Sequence, residues 1–266
     1  MVQRMTSMDR EHLDRVRDRF TRTAQQFAKF ALAKRSEEAE RLVRLAAPRG
    51  DELALDLACG PGTFLRAFAP RVRFIVGVDL TAAMLAEARH AIARAALGNA
   101  ALACANGYAL PFADSSLGLC ACGYSLHHML EPVRAVVELS RVLQPGGRMA
   151  IADMVVPDGA DVDFTNRIER ARDTSHASTL RLAELHHLLE AAGLRFVASE
   201  IGERVRDFDE WMQTVGSPRG TAVYEQTRRL MEESIPGDAA GFRPRPVPPK
   251  LEFVQTSAFV VAEKTA

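Results

Sequence analysis

The feature that most constrains the fold is a regular alternation, between Leu53 and Val155, of short apolar runs with stretches of helical character. The apolar runs have the length and composition of buried strands. The predicted strands are residues 53–57, 73–78, 101–105, 117–122 and 148–155, and the predicted helices among them are residues 63–69, 81–95 and 132–142. Strands that alternate with helices are typical of a parallel sheet with helices on both faces.

The flanking regions are mostly helical. Two helices are predicted before the alternation, at residues 10–34 and 36–47, and Ser36 is a suitable N-cap for the second. A polar insert follows the alternation, and the elements predicted after it are a helix at 179–192, a strand at 194–201, helical residues at 207–235 and a strand at 251–262. We expect this last strand to lie at an edge of the sheet.

No boundary between separate domains is visible, so we expect one domain over residues 1–266. Its predicted parts are a helical N-terminal cap at 1–50, a core at 51–156, a region of strand, helices and inserts at 157–250, and the final edge strand at 251–266. A chain of 266 residues is an ordinary length for one elaborated α/β domain.

Composition excludes several classes of partner. Lysine plus arginine number 34 and aspartate plus glutamate number 34, so the net charge is zero and no basic tract favours nucleic acid. No apolar run approaches the roughly 20 residues of a membrane span. The polar N-terminal stretch lacks a signal-peptide pattern, so we expect a cytoplasmic protein. The four cysteines include no C-x-x-C pair, which favours reduced, mostly buried thiols over a metal site.

The first strand-to-helix turn carries two glycines, in the stretch L-A-L-D-L-A-C-G-P-G-T-F that runs from Leu53 to Phe64. Glycines in this position let the backbone approach a ligand, and the following helix offers free N–H groups to it. A nicotinamide-binding turn needs a third small residue to pack the helix on the strand. Leu65 stands at that position, which disfavours a dinucleotide.

The pattern D-x-A-x-G-x-G, from Asp56 to Gly62, resembles motif I of class I S-adenosylmethionine-dependent methyltransferases. The resemblance implies that Asp56 lies near the amino-acid part of the cofactor. It also implies that the turn residues contact the methionine and ribose parts, and these residues are Ala58, Cys59, Gly60, Pro61 and Gly62. The family usually has glycine where Ala58 stands.

Two further stretches extend the resemblance. Asp79 ends the second predicted strand about 20 residues after the glycines, where an acid can accept hydrogen bonds from both ribose hydroxyls. The resemblance implies that Leu80 and Met84 flank the adenine. The stretch A-N-G-Y-A-L-P-F resembles the G-D-A-E-x-L-P-F stretch of methyltransferases related to ubiquinone and menaquinone biosynthesis, and it implies an adenine contact from Asn106 and Gly107.

The fourth strand and the turn before the fifth complete the resemblance, which covers residues 53–155. C-A-C-G-Y-S-L-H-H resembles the fourth-strand motif and implies that Cys122 and Gly123 lie near the cofactor, while R-V-L-Q-P-G-G-R resembles the turn. Phe27 lies on a helix that resembles the family's entry helix, where tyrosine is usual. The implied fold is Rossmann-like, with a mostly parallel seven-stranded sheet, an antiparallel last strand and helical caps.

The chemistry of methyl transfer requires alignment of nucleophile, methyl group and sulfur, and a base only where the nucleophile carries a proton. The candidate catalytic residues are His127 and His128 after the fourth strand and Asp173 and His176 in the polar insert, each of which could instead have a structural role. The candidate substrate residues are Phe20, Asp153 and Trp211. No H-E-x-x-H pattern or His pair at i,i+4 indicates zinc.

The favoured function is methylation of a small apolar or aromatic molecule at oxygen, carbon or nitrogen, with S-adenosylmethionine as cofactor and S-adenosylhomocysteine as product. One alternative is a methyltransferase-like protein that binds these ligands without catalysis, because Asn106, Gly118 and Phe27 depart from the family pattern. A nicotinamide oxidoreductase is a second alternative. A homodimer and a carrier protein that presents the substrate are left open.

Overall fold

The computed structural model describes residues 7–265, and the first six residues of the polar N-terminal stretch lie outside them together with residue 266. One sheet of eight strands forms the centre. The strands are β1 Leu53–Leu57, β2 Phe74–Asp79, β3 Ala100–Cys104, β4 Leu117–Gly123, β5 Leu143–Met154, β6 Leu194–Asp207, β7 Arg245–Val247 and β8 Lys250–Lys264. Their spatial order is β3-β2-β1-β4-β5-β8-β6, and β7 pairs with β8 beside this row.

Helices surround the sheet. They are α1 Ser7–Lys34, α2 Ser36–Ala46, α3 Thr63–Phe68, α4 Ala82–Arg94, α5 Pro132–Val142, α6 Val162–Arg172, α7 Leu182–Ala191, α8 Phe208–Gln213 and α9 Ala222–Glu233. Helices α2 and α3 pack one apolar layer against the sheet, and α5 and α7 pack the other. The prediction of a Rossmann-like, mostly parallel sheet with helices on both faces is confirmed.

The strand order reverses beside β1, which pairs in parallel with β2 on one side and with β4 on the other. The connections that leave β1 and β4 therefore diverge to opposite faces of the sheet. In sheets of this kind, the divergence leaves a crevice outside the carboxyl ends of the two strands, and ligands bind there.

The expected edge position of the last strand is wrong. Strand β8 lies between β5 and β6 and is antiparallel to both, so that β6 forms the edge. The run from Ala258 to Ala262 is buried on both faces, which is typical of a central strand. The sheet has eight strands rather than seven because the proline-rich stretch supplies the short β7.

The polar insert at residues 157–178 forms a helix and a loop, and the helix after it begins later than predicted. Residues 162–172 form the full helix α6, whose N-cap Asp161 accepts hydrogen bonds from two backbone N–H groups. Helix α7 begins at Leu182 instead of Thr179, because Leu180 makes a parallel bridge with Val155. This bridge holds the segment between α6 and α7 against the end of β5.

Candidate active site

A central cavity opens at the carboxyl ends of β1, β2 and β4, and α1 forms its outer wall. It encloses about 960 Å³ between protein atoms, part of it open to solvent. The predicted site residues that line it are Phe20, Phe27, Ala58, Cys59, Gly60, Pro61, Asp79, Leu80, Met84, Asn106, Gly107, Gly123 and His128. Most of the residues expected near a cofactor therefore lie around one space.

The turn after β1 brings its backbone to the cavity through residues in the left-handed region. Gly60 has φ +52° and Gly62, the N-cap of α3, has φ +85°. Ala58 also has a positive φ, +52°, which costs an L-residue with a Cβ about 1–2 kcal/mol. This strain explains physically why glycine suits the Ala58 position.

Asp79 ties the turn after β1 to the end of β2. One carboxylate oxygen accepts a hydrogen bond from Gly60 N–H at 2.9 Å, and the other accepts one from Thr81 N–H at 2.8 Å. Burial raises the pKa of the carboxyl group, and these two donors oppose the rise. Each oxygen keeps a second lone pair, so the carboxylate can still accept hydrogen bonds from a ligand in the cavity.

Asp56 lies behind the same turn and does not line the cavity. Its Oδ2 accepts a hydrogen bond from Leu65 N–H at 2.8 Å, whereas Oδ1 is buried without a partner. Burial raises the pKa of Asp56 to about 8, and the charge of Asp79 acts in the same direction. Asp56 therefore stabilises the start of α3 through the Leu65 N–H group. Because its side chain does not line the cavity, Asp56 could contact a ligand only through another group, such as a water molecule.

Two glycines, on the strands β2 and β4 that flank β1, make room for the first residues of α3. A Cβ on Gly77 would lie 2.6 Å from Leu65 Cδ1, and a Cβ on Gly123 would lie 2.3 Å from Phe64 Cε2. Leu65 thus packs closely on β2 because Gly77 has no side chain. The sequence feature that indicates this arrangement is Gly77, in the stretch G-V-D-L, because its lack of a side chain leaves space for the large side chain of Leu65.

The loop after β3 forms another wall. Asn106 Oδ1 accepts a hydrogen bond from Tyr108 N–H at 3.0 Å, which closes a tight turn. Gly107 packs against Leu57, where a Cβ would approach Leu57 Cδ1 to 3.0 Å. Leu80 and Met84 face the same space from the end of β2 and the start of α4.

Helix α1 contributes an apolar wall, and the segment after it contributes a cation. Leu13, Val16, Phe20 and Phe27 line the cavity from α1. Arg35, which sequence reasoning missed, also lines it, and its guanidinium lies 3.8 Å from the centre of the Tyr124 ring. Burial lowers the pKa of Arg35, and no carboxylate of the described residues forms an ion pair with it.

The side chains of His127 and His128, which are adjacent in the sequence, lie in different environments. His128 lines the cavity, and the edge of the Phe20 ring packs on it with centroids 5.0 Å apart. His127 is buried outside the cavity, and its Nδ1 lies 2.5 Å from Asp153 Oδ1. Asp153 also accepts hydrogen bonds from the backbone N–H groups of Leu126 and His127. Asp153 therefore holds the loop after β4, and its side chain does not line the central cavity.

The other two catalytic candidates lie behind His128. Asp173 is buried, accepts a hydrogen bond from the Ser175 hydroxyl at 2.6 Å, and lies 3.0 Å from Arg19 Nε. His176 Nε2 lies 2.8 Å from Asn166 Oδ1, and burial lowers the pKa of this histidine well below its usual value. Neither side chain lines the cavity, because Asp173 is held by Ser175 and by Arg19 of α1, and His176 is held by Asn166 of α6.

Three more expected residues do not line the cavity. Trp211 is 1% exposed and packs among Phe242 and Phe253, with the Trp211 and Phe253 ring centres 4.8 Å apart, so it belongs to the apolar cluster under α8 and α9. Gly62 lies at the base of α3. Cys122 is buried within β4, with its Sγ 2.9 Å from Ser125 Oγ.

Over residues 7–265, no group of three or more His, Cys, Asp or Glu side chains is arranged to hold a metal ion. Across the same residues, none of the helices combines the length and apolar character needed to cross a membrane. All four cysteines are free, with Cys59, Cys120 and Cys122 buried and Cys104 exposed.

Comparison with known proteins agrees with this fold. Residues 55–151 match the methyltransferase domain family. The uncharacterized methyltransferase YcgJ of Bacillus subtilis is 28% identical over 200 residues, which cover 75% of this chain and 79% of that protein. A demethylmenaquinone methyltransferase of Clavibacter sepedonicus is 34% identical over 114 residues, covering 43% of this chain and 46% of that protein.

Among solved structures, a Bacillus halodurans protein with a provisional methyltransferase assignment is 27% identical. It superimposes with a TM-score of 0.79, over 86% of this chain and 100% of that chain. The fold and the crevice define a Rossmann-like transferase. Residues 55–151 are therefore a methyltransferase domain in a chain with the class I methyltransferase fold, and the relatives of this chain include demethylmenaquinone methyltransferases.

Proposed function

We propose that this protein is an S-adenosylmethionine-dependent methyltransferase that acts on a small apolar or aromatic molecule. The observation that carries the proposal is the hydrogen bond between Asp79 and Gly60 at the edge of a cavity whose opposite wall is aromatic. An acid fixed to a glycine turn suits the ribose diol of an adenosine ligand, and the aromatic wall suits an apolar acceptor beside it.

The residues present fit the cofactor in three places. Asp79 would accept from the ribose hydroxyls, and the backbone of Gly60 would approach the adjoining part of the ligand. Leu80, Met84 and the Asn106 turn would enclose the adenine. Arg35 would neutralise the amino-acid carboxylate, because a partly buried guanidinium without an ion-pair partner favours an anion.

The acceptor would lie against α1. S-adenosylmethionine supplies an electrophilic methyl group on a positively charged sulfur. The chain's own contribution is to align the acceptor and to exclude water, and Leu13, Val16, Phe20 and Phe27 offer an apolar surface for both tasks. Such a surface favours a hydrophobic acceptor over a polar one.

Calorimetric titration with S-adenosylmethionine, S-adenosylhomocysteine and NADH tests the proposal, with Asp158→Ala as an exposed control for Asp79→Ala. We expect both sulfur ligands to bind and NADH not to bind, with affinity lost only in the Asp79 variant. Binding of NADH alone would establish the nicotinamide alternative. Binding of both sulfur ligands without turnover on a broad panel of phenols, enols and amines would favour the non-catalytic alternative.

A further inference from the structure

His128 lines the cavity and contacts two other segments of the chain, the segment after α6 and helix α1. Its Nδ1 lies 3.0 Å from the backbone carbonyl oxygen of Ser175 and 3.2 Å from the Ser175 hydroxyl. Its own carbonyl oxygen accepts a hydrogen bond from His12 Nε2 at 2.7 Å, which joins α1 to the loop after β4. Both the ring and the backbone of His128 are therefore held from other segments of the chain.

These contacts determine which ring nitrogen carries the proton. A carbonyl oxygen can only accept a hydrogen bond, so Nδ1 must donate to Ser175. The neutral imidazole then has an unprotonated Nε2. No described residue hydrogen-bonds to that nitrogen, and the ring lines the central cavity.

The Ser175 hydroxyl is oriented in turn by Asp173. It donates to Asp173 Oδ1 at 2.6 Å, and the Ser175 N–H donates to the same oxygen at 2.9 Å. The hydroxyl oxygen is thereby left to accept from His128. Arg19 of α1 forms an ion pair with the other oxygen of Asp173, and its Nε lies 3.0 Å from Oδ2. Ser175 and Asp173 of the stretch R-D-T-S-H thus hold the Nδ1 side of the His128 ring, which is the side opposite Nε2.

The charged and titratable groups that face His128 come from three segments. They are His127 on the same loop, Asp173 beyond Ser175, and Arg19 and His12 on α1. Burial lowers the pKa of His128 well below its usual value, His127 and Arg19 lower it further, and Asp173 opposes them. Burial alone would raise the pKa of Asp173, but the charges of Arg19 and Arg172 and the hydrogen bond from Ser175 act in the opposite direction, and this pKa lies below its usual range.

We propose that His128 is the general base of the methyl transfer and that Ser175 and Asp173 are positioning residues that fix its Nδ1–H tautomer. The inference rests on the proposed function and restricts it to acceptors with an acidic O–H or C–H bond, such as a phenol or an enolisable carbonyl compound. The acceptor's proton moves to Nε2, and its electron pair forms the new bond to the methyl carbon. The carbon–sulfur bond breaks, and its electron pair stays on sulfur as a neutral thioether.

Charge balance explains why a weakly basic histidine suits this step. One positive charge disappears from sulfur while one appears on His128, so the net charge within the cavity is unchanged. The cost of charging a partly buried imidazole is therefore offset as the sulfonium is consumed, and the nearby Asp173 carboxylate favours the imidazolium through Ser175. An acceptor without a removable proton would gain nothing from this arrangement.

Magnetic resonance of isotopically labelled histidine tests the tautomer in the protein without ligand, with the His128→Gln variant used for assignment. We expect Nδ1 to be protonated and Nε2 to be bare from about pH 6 to about pH 8. Protonation at Nε2 would overturn the proposal. Ser175→Ala should lower the proton affinity of His128 by about 3- to 10-fold, because one hydrogen bond that favours the charged form is lost. The neighbouring Ser178→Ala is the matched control, and equal effects of the two variants would also contradict the proposal.

A second measurement relates His128 to the cofactor. Titration of its ring in the presence of saturating S-adenosylmethionine should give a lower proton affinity than in the presence of saturating S-adenosylhomocysteine, by about tenfold or more, because only the former is a sulfonium. Equal proton affinities in the two complexes would show that His128 does not face the methyl group. Failure of either ligand to bind would instead overturn the proposed function, while the tautomer result would stand.

Discussion

The carboxylate of Asp79 accepts a hydrogen bond from the backbone N–H of Gly60 at 2.9 Å, so the acid at the end of β2 and the glycine turn after β1 form one structural unit. A ligand that bonds to Asp79 therefore meets the Gly60 backbone in a fixed relation. Such preorganisation reduces the entropy cost of binding, because neither segment must be ordered by the ligand.

Replacement of this acid should be costly for binding. Asp79→Ala is expected to weaken S-adenosylhomocysteine binding by about 10- to 100-fold, because hydrogen bonds to a charged group contribute about 1.5–3 kcal/mol. Calorimetry measures the affinity, and circular dichroism confirms that the variant is folded. Unchanged affinity in a folded variant would show that the ribose does not lie at Asp79.

Asp56 should make stability depend on pH. The folded-state pKa of about 8 exceeds the value of about 3.9 in an unfolded chain. At low pH both states are protonated, and as pH rises from about 4 to about 8 only the unfolded state releases its proton, so the free energy of unfolding falls. Asp56→Asn removes this contribution, so the wild-type protein should lose on the order of 1 kcal/mol per pH unit relative to the variant. Urea unfolding at several pH values measures the difference, and parallel curves would contradict it.

Arg35 should discriminate between ligands that have and lack an amino-acid carboxylate. Arg35→Met is expected to weaken binding of S-adenosylhomocysteine by about tenfold or more, because a charge-assisted hydrogen bond is lost. Binding of 5′-methylthioadenosine, which has no carboxylate, should change by less than about twofold. Equal losses for the two ligands would place the role of Arg35 in folding rather than in recognition of the anion.

The strained turn offers a stabilising substitution. Ala58→Gly should raise the free energy of unfolding by about 0.5–1 kcal/mol, because glycine adopts the left-handed conformation without a Cβ clash. Ala54→Gly in β1, where the backbone is extended, is the control and should lower stability by about the same amount. Thermal unfolding of both variants measures these changes, and destabilisation by Ala58→Gly would contradict the argument.

Trp211 should matter for stability and not for the ligand. Trp211→Ala is expected to lower the free energy of unfolding by about 3–5 kcal/mol, because it leaves a cavity between α8 and β8. The folded fraction should bind S-adenosylhomocysteine with affinity within about twofold of the wild-type value. A large loss of S-adenosylhomocysteine affinity without a loss of stability would instead indicate that Trp211 contributes to the ligand site.

The cofactor side of the cavity could be anticipated because its signals are local. The glycine turn and Asp79 each follow a strand, and parallel strands bring their carboxyl ends together without further information. The acceptor side could not be anticipated in the same way. Arg19 and Asp173 form an ion pair only because α1 packs across the segment after α6. The local sequence around either residue does not indicate that the two segments are in contact.

The position of β8 illustrates the same limit for the fold. An alternating pattern at residues 251–262 suggested an edge, whereas the structure buries the run from Ala258 to Ala262 on both faces, as in a central strand. The alternating pattern could not indicate which strands pair with β8. Strand β6 joins the sheet only by pairing with β8, and this pairing places β8 inside the sheet. Pairing between distant segments decides such positions, and periodicity within one segment does not report it.

This arrangement has a consequence for biosynthesis. When β6 leaves the ribosome, the strand that will separate it from β5 has not yet been made, so β5 has an open edge and β6 has no neighbour. The cofactor-binding half can assemble at that stage, whereas the far half must wait for residues 250–264. The nascent chain therefore exposes an apolar strand edge for the time taken to translate β7 and its preceding helices, and this interval is when it most needs protection from aggregation.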